Sequence, residues 1–179
     1  GAIKWSLVTK ADLLASTAKA TSSSPVDLTP MISDANFSRN NTYFSEWQGT
    51  KPTVKYQDDD YFPNQCAEVF NYSIDVYQTL TNLPEGIYEV RMQGFHRNGK
   101  PANDDDKDSA LWPVLYANDE TTELLSITDY DSTIDNMLQA SQAFSAGKYQ
   151  NSVRVSVTDG TLKLGVAKSA TSIPYNNWT

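Results

Sequence analysis

Between Ile74 and Arg97 the chain reads IDVYQTLTNLPEGIYEVRMQGFHR, and apolar residues recur there at every second position. Ile74, Val76 and Leu80 alternate with Asp75, Tyr77 and Thr79. After Pro84-Glu85-Gly86, Tyr88, Val90 and Met92 alternate with Ile87, Glu89 and Arg91. A period of two sorts side chains onto the two faces of a strand; a helix would need a period of 3.6. The Pro/Gly break between the runs predicts a β-hairpin. Gly94 then shifts the phase, so that Phe95 no longer matches Met92, which marks a bulge or a bend. A second pair of runs has the same form. Val153, Val155 and Val157 alternate with Ser152, Arg154 and Ser156, Asp159-Gly160 makes the turn, and Leu162, Leu164 and Val166 alternate on the return. Asp-Gly between alternating runs predicts a second hairpin with a type I′ turn.

The rest of the chain is less regular. Residues 1–25 read as an appendage or linker. Within it Thr9–Lys19 predicts a short helix with Thr9 and Asp12 as a capping box. Leu13 and Leu14 give that helix little apolar surface, so it needs a partner to persist. Residues 26–179 read as one β domain of ordinary size. Lys51–Tyr61, with Asp58-Asp59-Asp60, and the stretch 98–109 (NGKPANDDDKDS) predict polar loops. Leu111–Ala117 predicts a strand that Pro113 confines to an edge or a bulge over its first half. Thr133–Phe144 has helical character, with Ile134, Met137, Leu138 and Ser141 on one face and Gly147 as its stop.

Several phrases carry a family resemblance: Tyr77-Gln78-Thr79-Leu80, Leu83-Pro84-x-Gly86-x-Tyr88 and Gln93-Gly94-Phe95-x-Arg97 in the first pair of runs, Asn36-Phe37 ahead of Trp47, Ala67-Glu68-x-x-Asn71, Leu115-Tyr116-Ala117-Asn118, and Ala143-Phe144-x-x-Gly147-x-Tyr149-x-Asn151. In order and spacing they resemble a β-sandwich domain of surface and secreted proteins of Bacteroides-type bacteria, itself similar to the galactose-binding-like jelly rolls and carbohydrate-binding modules. The resemblance covers roughly residues 26–178. It implies an all-β, antiparallel jelly-roll sandwich, a place outside the cytoplasm (extracellular, cell-surface or periplasmic), and a ligand site in the loops at one end. A final strand of the type Asp-Asn-Phe-x-Leu, which the family places after a Trp such as Trp178, is missing from this sequence. Related sandwiches often carry a calcium ligand there, so a structural calcium ion rests on analogy alone; no other cofactor is expected.

Chemistry and charge narrow the function classes. A net charge of −8 lacks the basic footprint that nucleic acid or an anionic membrane requires. No apolar run reaches membrane-spanning length. Cys66 is the only cysteine, so no internal disulfide forms, and it reads as a small buried apolar residue. His96, the only histidine, stands where the family has Tyr and reads as a strand-end residue; there is no nucleophile elbow and no zinc spacing. The acidic runs 58–60 and 104–106 lack the spacing that wraps calcium. No catalytic signature is present.

What remains is binding. Ten Tyr, four Trp and six Phe suit the half-buried faces of a β-rich domain, any surplus is available as binding platforms, and sugars offer C–H faces to rings and hydroxyls to planar polar groups. Phe37 and Trp47 read as core. The ligand candidates are Trp112, Arg97, Tyr61, Asn103, Tyr130 and Asp131. For Trp112 the ligand and core readings both stay open, and for Arg97 the competing role is a structural ion pair or a loop clamp. The leading expectation is a non-catalytic carbohydrate-binding module whose partner is a glycan or polysaccharide, part of a longer exported chain. The alternatives are a structural or protein-interaction module and, third, a glycoside hydrolase with two facing carboxylates.

Overall fold

Alternation decides which side of each strand is buried. In β4 (Ile74–Leu80) Ile74, Val76 and Gln78 are buried while Asp75 and Tyr77 are half-exposed; in β8 (Gln150–Val157) Val153, Val155 and Val157 are buried while Ser152, Arg154 and Ser156 are exposed. A computed structural model describes residues 8–37, 46–50, 53–55, 66–69, 73–97 and 112–168. They form a mostly antiparallel β structure with two α-helices. β1 (Gln48–Gly49), β4, β9 (Leu162–Lys168), β6 (Val114–Ala117) and β7 (Glu120–Glu123) make a five-stranded sheet in that order. β5 (Gly86–Gln93) pairs with β8, and β2 (Thr53–Lys55) with β3 (Cys66–Glu68). The inward residues of the five-stranded sheet (Val76, Leu115, Ala117, Leu162, Leu164) and of the β5–β8 pair (Val90, Val153, Val155, Val157) belong to one apolar cluster, so the two layers face each other across a shared core.

Neither predicted hairpin forms. β4 pairs with β9 from Ile74↔Lys168 to Leu80↔Leu162, and β5 pairs with β8 from Gly86↔Val157 to Gln93↔Gln150. Each Pro/Gly or Asp-Gly break therefore carries the chain from one layer to the other. A turn between two alternating runs has the same local signature whether the runs pair or face each other, so the period could not tell these apart. Here two crossings let all four apolar stripes face one core. The two crossing turns touch: Leu83 N donates to Gly160 O at 3.0 Å. Of Asp159 and Gly160 only the glycine has positive φ, at 79°, so the type I′ turn is not made. A Cβ on Gly160 would lie 3.3 Å from the Leu83 carbonyl oxygen.

The strands differ from expectation at their ends. β5 stops at Gln93, and past Gly94 the chain enters a second apolar cluster, which is why the phase changes there. β6 begins after Pro113 and lies between β9 and β7, an interior position. β7 (ETTE) has no apolar period and was not foreseen; it is recruited as an edge by its partner β6. On the outer face, Gly165 of β9 leaves room for Tyr116 to lie across it; a Cβ there would sit 2.8 Å from Tyr77 Cβ and 2.3 Å from Val76 O. The Tyr116 hydroxyl donates to Asp75 Oδ1 at 2.7 Å, and burial, then that carboxylate, hold its pKa far above the ordinary tyrosine value. Lys163 Nζ lies 3.8 Å from the Tyr77 ring centre.

The N-terminal segment is attached to the core. α1 (Lys10–Ser16) starts with the expected capping box, Thr9 Oγ1 accepting from Asp12 N at 3.1 Å and Asp12 Oδ2 from Thr9 N at 2.9 Å. Leu13, Leu14, Leu28 and Ile32 pack on the main cluster, which supplies the partner that so short a helix needs. Gln78, polar on an inward face, is satisfied by the Ser33 backbone: Oε1 accepts from its N–H and Nε2 donates to its carbonyl at 2.7 Å. Trp47 is buried, with Phe37 stacked on it at 5.0 Å, as expected of core rings. Cys66 is half-buried rather than buried. No helix among the described residues is long and apolar enough to cross a membrane.

Candidate ligand site at one end of the sheets

The strand directions gather one set of connections at each end. β5 finishes, β6 begins, β8 begins and β9 finishes at the same end, which brings residues 94–97, 112–113, 125–149 and Lys168 together there. A second core fills this end: Ile127, Ile134, Ala140, Ala143 and Tyr149, with Phe95, Leu125 and Phe144 against them. α2 (Met137–Ser145) covers it. Asn136 caps the helix, its Oδ1 accepting from Gln139 N at 3.0 Å. Met137, Ala140 and Ala143 are buried; Leu138, expected on the same face, is instead 42% exposed, because the stripe follows Ala140 and Ala143. At its end Gly147 takes φ 78°, Gly147 N donates to Phe144 O and Lys148 N to Ala143 O, a Schellman closure.

Asn151 and Tyr149 lock this end. Asn151 is buried; its Oδ1 accepts from Leu125 N at 2.9 Å and its Nδ2 donates to Gly94 O at 2.8 Å and Tyr149 O at 2.9 Å. One amide thereby ties β8, the tail of β5 and the 124–127 segment. Tyr149 holds a left-handed φ of 62°, a strained conformation for a large side chain. It persists because the ring packs on Phe95 at 4.9 Å and the hydroxyl donates to Ile127 O at 2.9 Å. Burial, then the charge of Asp131, raises the pKa of that hydroxyl.

His96 is no ordinary strand end. It is 1% exposed, its N–H donates to Leu125 O, its carbonyl accepts from Ile127 N, and its ring stands 5.4 Å from that of Trp112. Lys168 faces inward with Leu162 and Leu164 and is 2% exposed; burial draws its pKa down to about 8.

Four of the six candidates lie at this end; Tyr61 and Asn103 fall outside the described residues, as do the acidic runs 58–60 and 104–106. Trp112 is half-buried beside His96, its Nε1 shielded from solvent. Arg97 Nη2 donates to Asp135 O at 3.1 Å. Asp131 Oδ1 accepts from Thr133 N at 2.8 Å and Thr133 Oγ1 at 2.7 Å, and the Thr133 hydroxyl, then its N–H, holds the carboxyl below its usual pKa. Tyr130 is 51% exposed, its ring 6.2 Å from Tyr149 and its face under Lys148 Nζ at 4.6 Å. Among the described residues no three His, Cys, Asp or Glu side chains converge as a metal site would need.

Comparison with protein-family models, curated proteins and solved structures finds no match. The site thus stands on its own geometry. Lys148, Tyr149 and Asn151 were missed as site-forming residues. The signal that could have found them was the phrase running from Ala143 to Asn151, which closes a helix and enters β8.

Proposed function

We propose that this chain is a non-catalytic carbohydrate-binding module of jelly-roll, galactose-binding-like type from an exported bacterial protein. The observation that carries the reading is Tyr130: a half-exposed ring at the loop end, with the Lys148 ammonium over it and Asp131 next in sequence. A ring of this kind takes the C–H face of a sugar, and the flanking charged groups take its hydroxyls. Asp131 suits an acceptor role, since its hydrogen bonds favour the ionised form and oppose proton donation. Trp112, bordering the 98–111 segment, is the second ring.

The test is a glycan-array and polysaccharide-gel screen with and without calcium. Tyr130→Ala and Trp112→Ala are each expected to weaken a hit by about tenfold. No binding across a broad panel, or binding indifferent to both variants, would sink the reading. A structural or protein-interaction module is the second reading. It is favoured by Asp131, which accepts from Thr133 of its own loop, and by Arg97, which donates to Asp135 O in the connection that precedes α2.

A further inference from the structure

We infer that the outer edge of β5 pairs antiparallel with β5 of a second copy of this chain, about a two-fold axis through Val90. The alternation of backbone bonds shows which groups that edge presents. Gly94 N donates to Tyr149 O at 3.0 Å, in register with Gln93↔Gln150. In an antiparallel pair only every second residue exchanges bonds with its neighbour. Gly86, Tyr88, Val90 and Met92 therefore turn their backbone groups toward β8, and Ile87, Glu89, Arg91 and Gln93 turn theirs outward. The far edge of β8 is covered, since Thr122 Oγ1 of β7 donates to Ser152 O at 3.0 Å. Among the described residues no strand pairs with the far edge of β5.

The edge carries two charged residues, Glu89 and Arg91, of opposite sign. Its eight residues, GIYEVRMQ, run in unbroken register with β8, with no bulge, proline or lysine. Ile87 is 73% exposed beside it. Charge selects the partner and the register. The outward groups can bond only if odd residues meet odd residues. Centring the pair on Glu89 or Arg91 sets like charges opposite each other. Centring it on Val90 sets Glu89 against Arg91 of the second copy, twice, and Ile87 against Gln93. Glu89 already accepts from Arg154 across the sheet at 3.3 Å, and Arg91, 72% exposed, gives it only Nε, leaving its terminal nitrogens to reach across. The result is a continuous sheet β8–β5–β5–β8 with closed two-fold symmetry.

Sedimentation of the 179-residue chain should show a monomer–dimer equilibrium with Kd on the order of 10–100 µM, because an edge contact buries little surface. Arg91→Glu sets carboxylate against carboxylate and should weaken the dimer roughly tenfold; the double swap Glu89→Arg with Arg91→Glu should restore it. In the unmodified chain, amide exchange at Ile87, Glu89, Arg91 and Gln93 should slow as concentration rises, while Tyr88, Val90 and Met92 stay protected throughout. A monomer up to about 1 mM, a dimer indifferent to Arg91→Glu, or exchange at those four amides independent of concentration would overturn the inference.

Discussion

The two ends of the molecule are built by different means. At the end where β4 crosses to β5 and β8 to β9, the connections are short, and backbone and turn groups hold them: Leu83 N to Gly160 O, Thr161 N to Asp159 Oδ1, and Asn118, whose side chain accepts from Lys163 N at 2.8 Å and donates to Thr161 O at 3.1 Å. At the opposite end, long connections meet over a second core, and the buried side chains of Asn151 and Tyr149 do the tying. A surface turn that loses a bond can take water in exchange, whereas a buried amide cannot. The first end is therefore tolerant and the second demanding. Binding is proposed at the demanding end because a rigid floor holds Tyr130 in place.

The sharpest way to break this contrast is Asn151→Ala, which strands Leu125 N and the Gly94 carbonyl and leaves the Tyr149 carbonyl with the Gly94 N–H alone. A loss of about 3 kcal/mol is expected in chemical denaturation, and a loss below that of Asn118→Ala would reverse the ranking of the ends. Next comes pH. The ammonium of Lys168 is disfavoured in the fold, so between pH about 8 and 10.5 the unfolded chain holds the extra proton and stability rises with pH. The rise should be on the order of 2–3 kcal/mol. Above pH 10 the slope turns over, because Tyr88, Tyr116 and Tyr149 keep their protons in the fold after the unfolded chain has lost them. Lys168→Met should abolish the rise and leave the fall, read by melting temperature across pH. Asn118→Ala, at the tolerant end, should cost about 1.5 kcal/mol. Tyr149→Phe removes one buried hydroxyl bond and should cost about 1 kcal/mol. Smallest of all, Tyr130→Ala should change stability by less than about 0.5 kcal/mol while affecting binding.

The same contrast governs what could be read from the sequence. Strand identity and facing were legible in β4, β5, β8 and β9, since a period of two records burial directly. Their partners were not: pairing Ile74 with Lys168 is a decision of the whole core, and Pro84-Glu85-Gly86 looks alike as a hairpin or a crossing. β7 was illegible because Glu120–Glu123 owes its extended form to β6. At the site, Trp112, Arg97, Tyr130 and Asp131 were placed at one end from loop composition and resemblance. The burial of His96 and the inward turn of Lys168 left no local mark, because a polar residue in an apolar register reads as a strand terminus.

The crossings have a consequence for how the chain reaches this state. β9, the last described strand, lies between β4 and β6, and β5 waits for β8. Among the described strands only β2–β3 and β6–β7 pair with a sequence neighbour; the rest of the five-stranded sheet and the β5–β8 pair need distant segments, so most pairing is long-range and loop closure precedes its reward. Folding should be slow for the size of the chain, with a late, all-at-once commitment when β9 inserts. Until then the apolar stripes of β4 and β5 stay exposed and prone to aggregation, which makes the speed of that final insertion, more than any single contact, the quantity that governs yield.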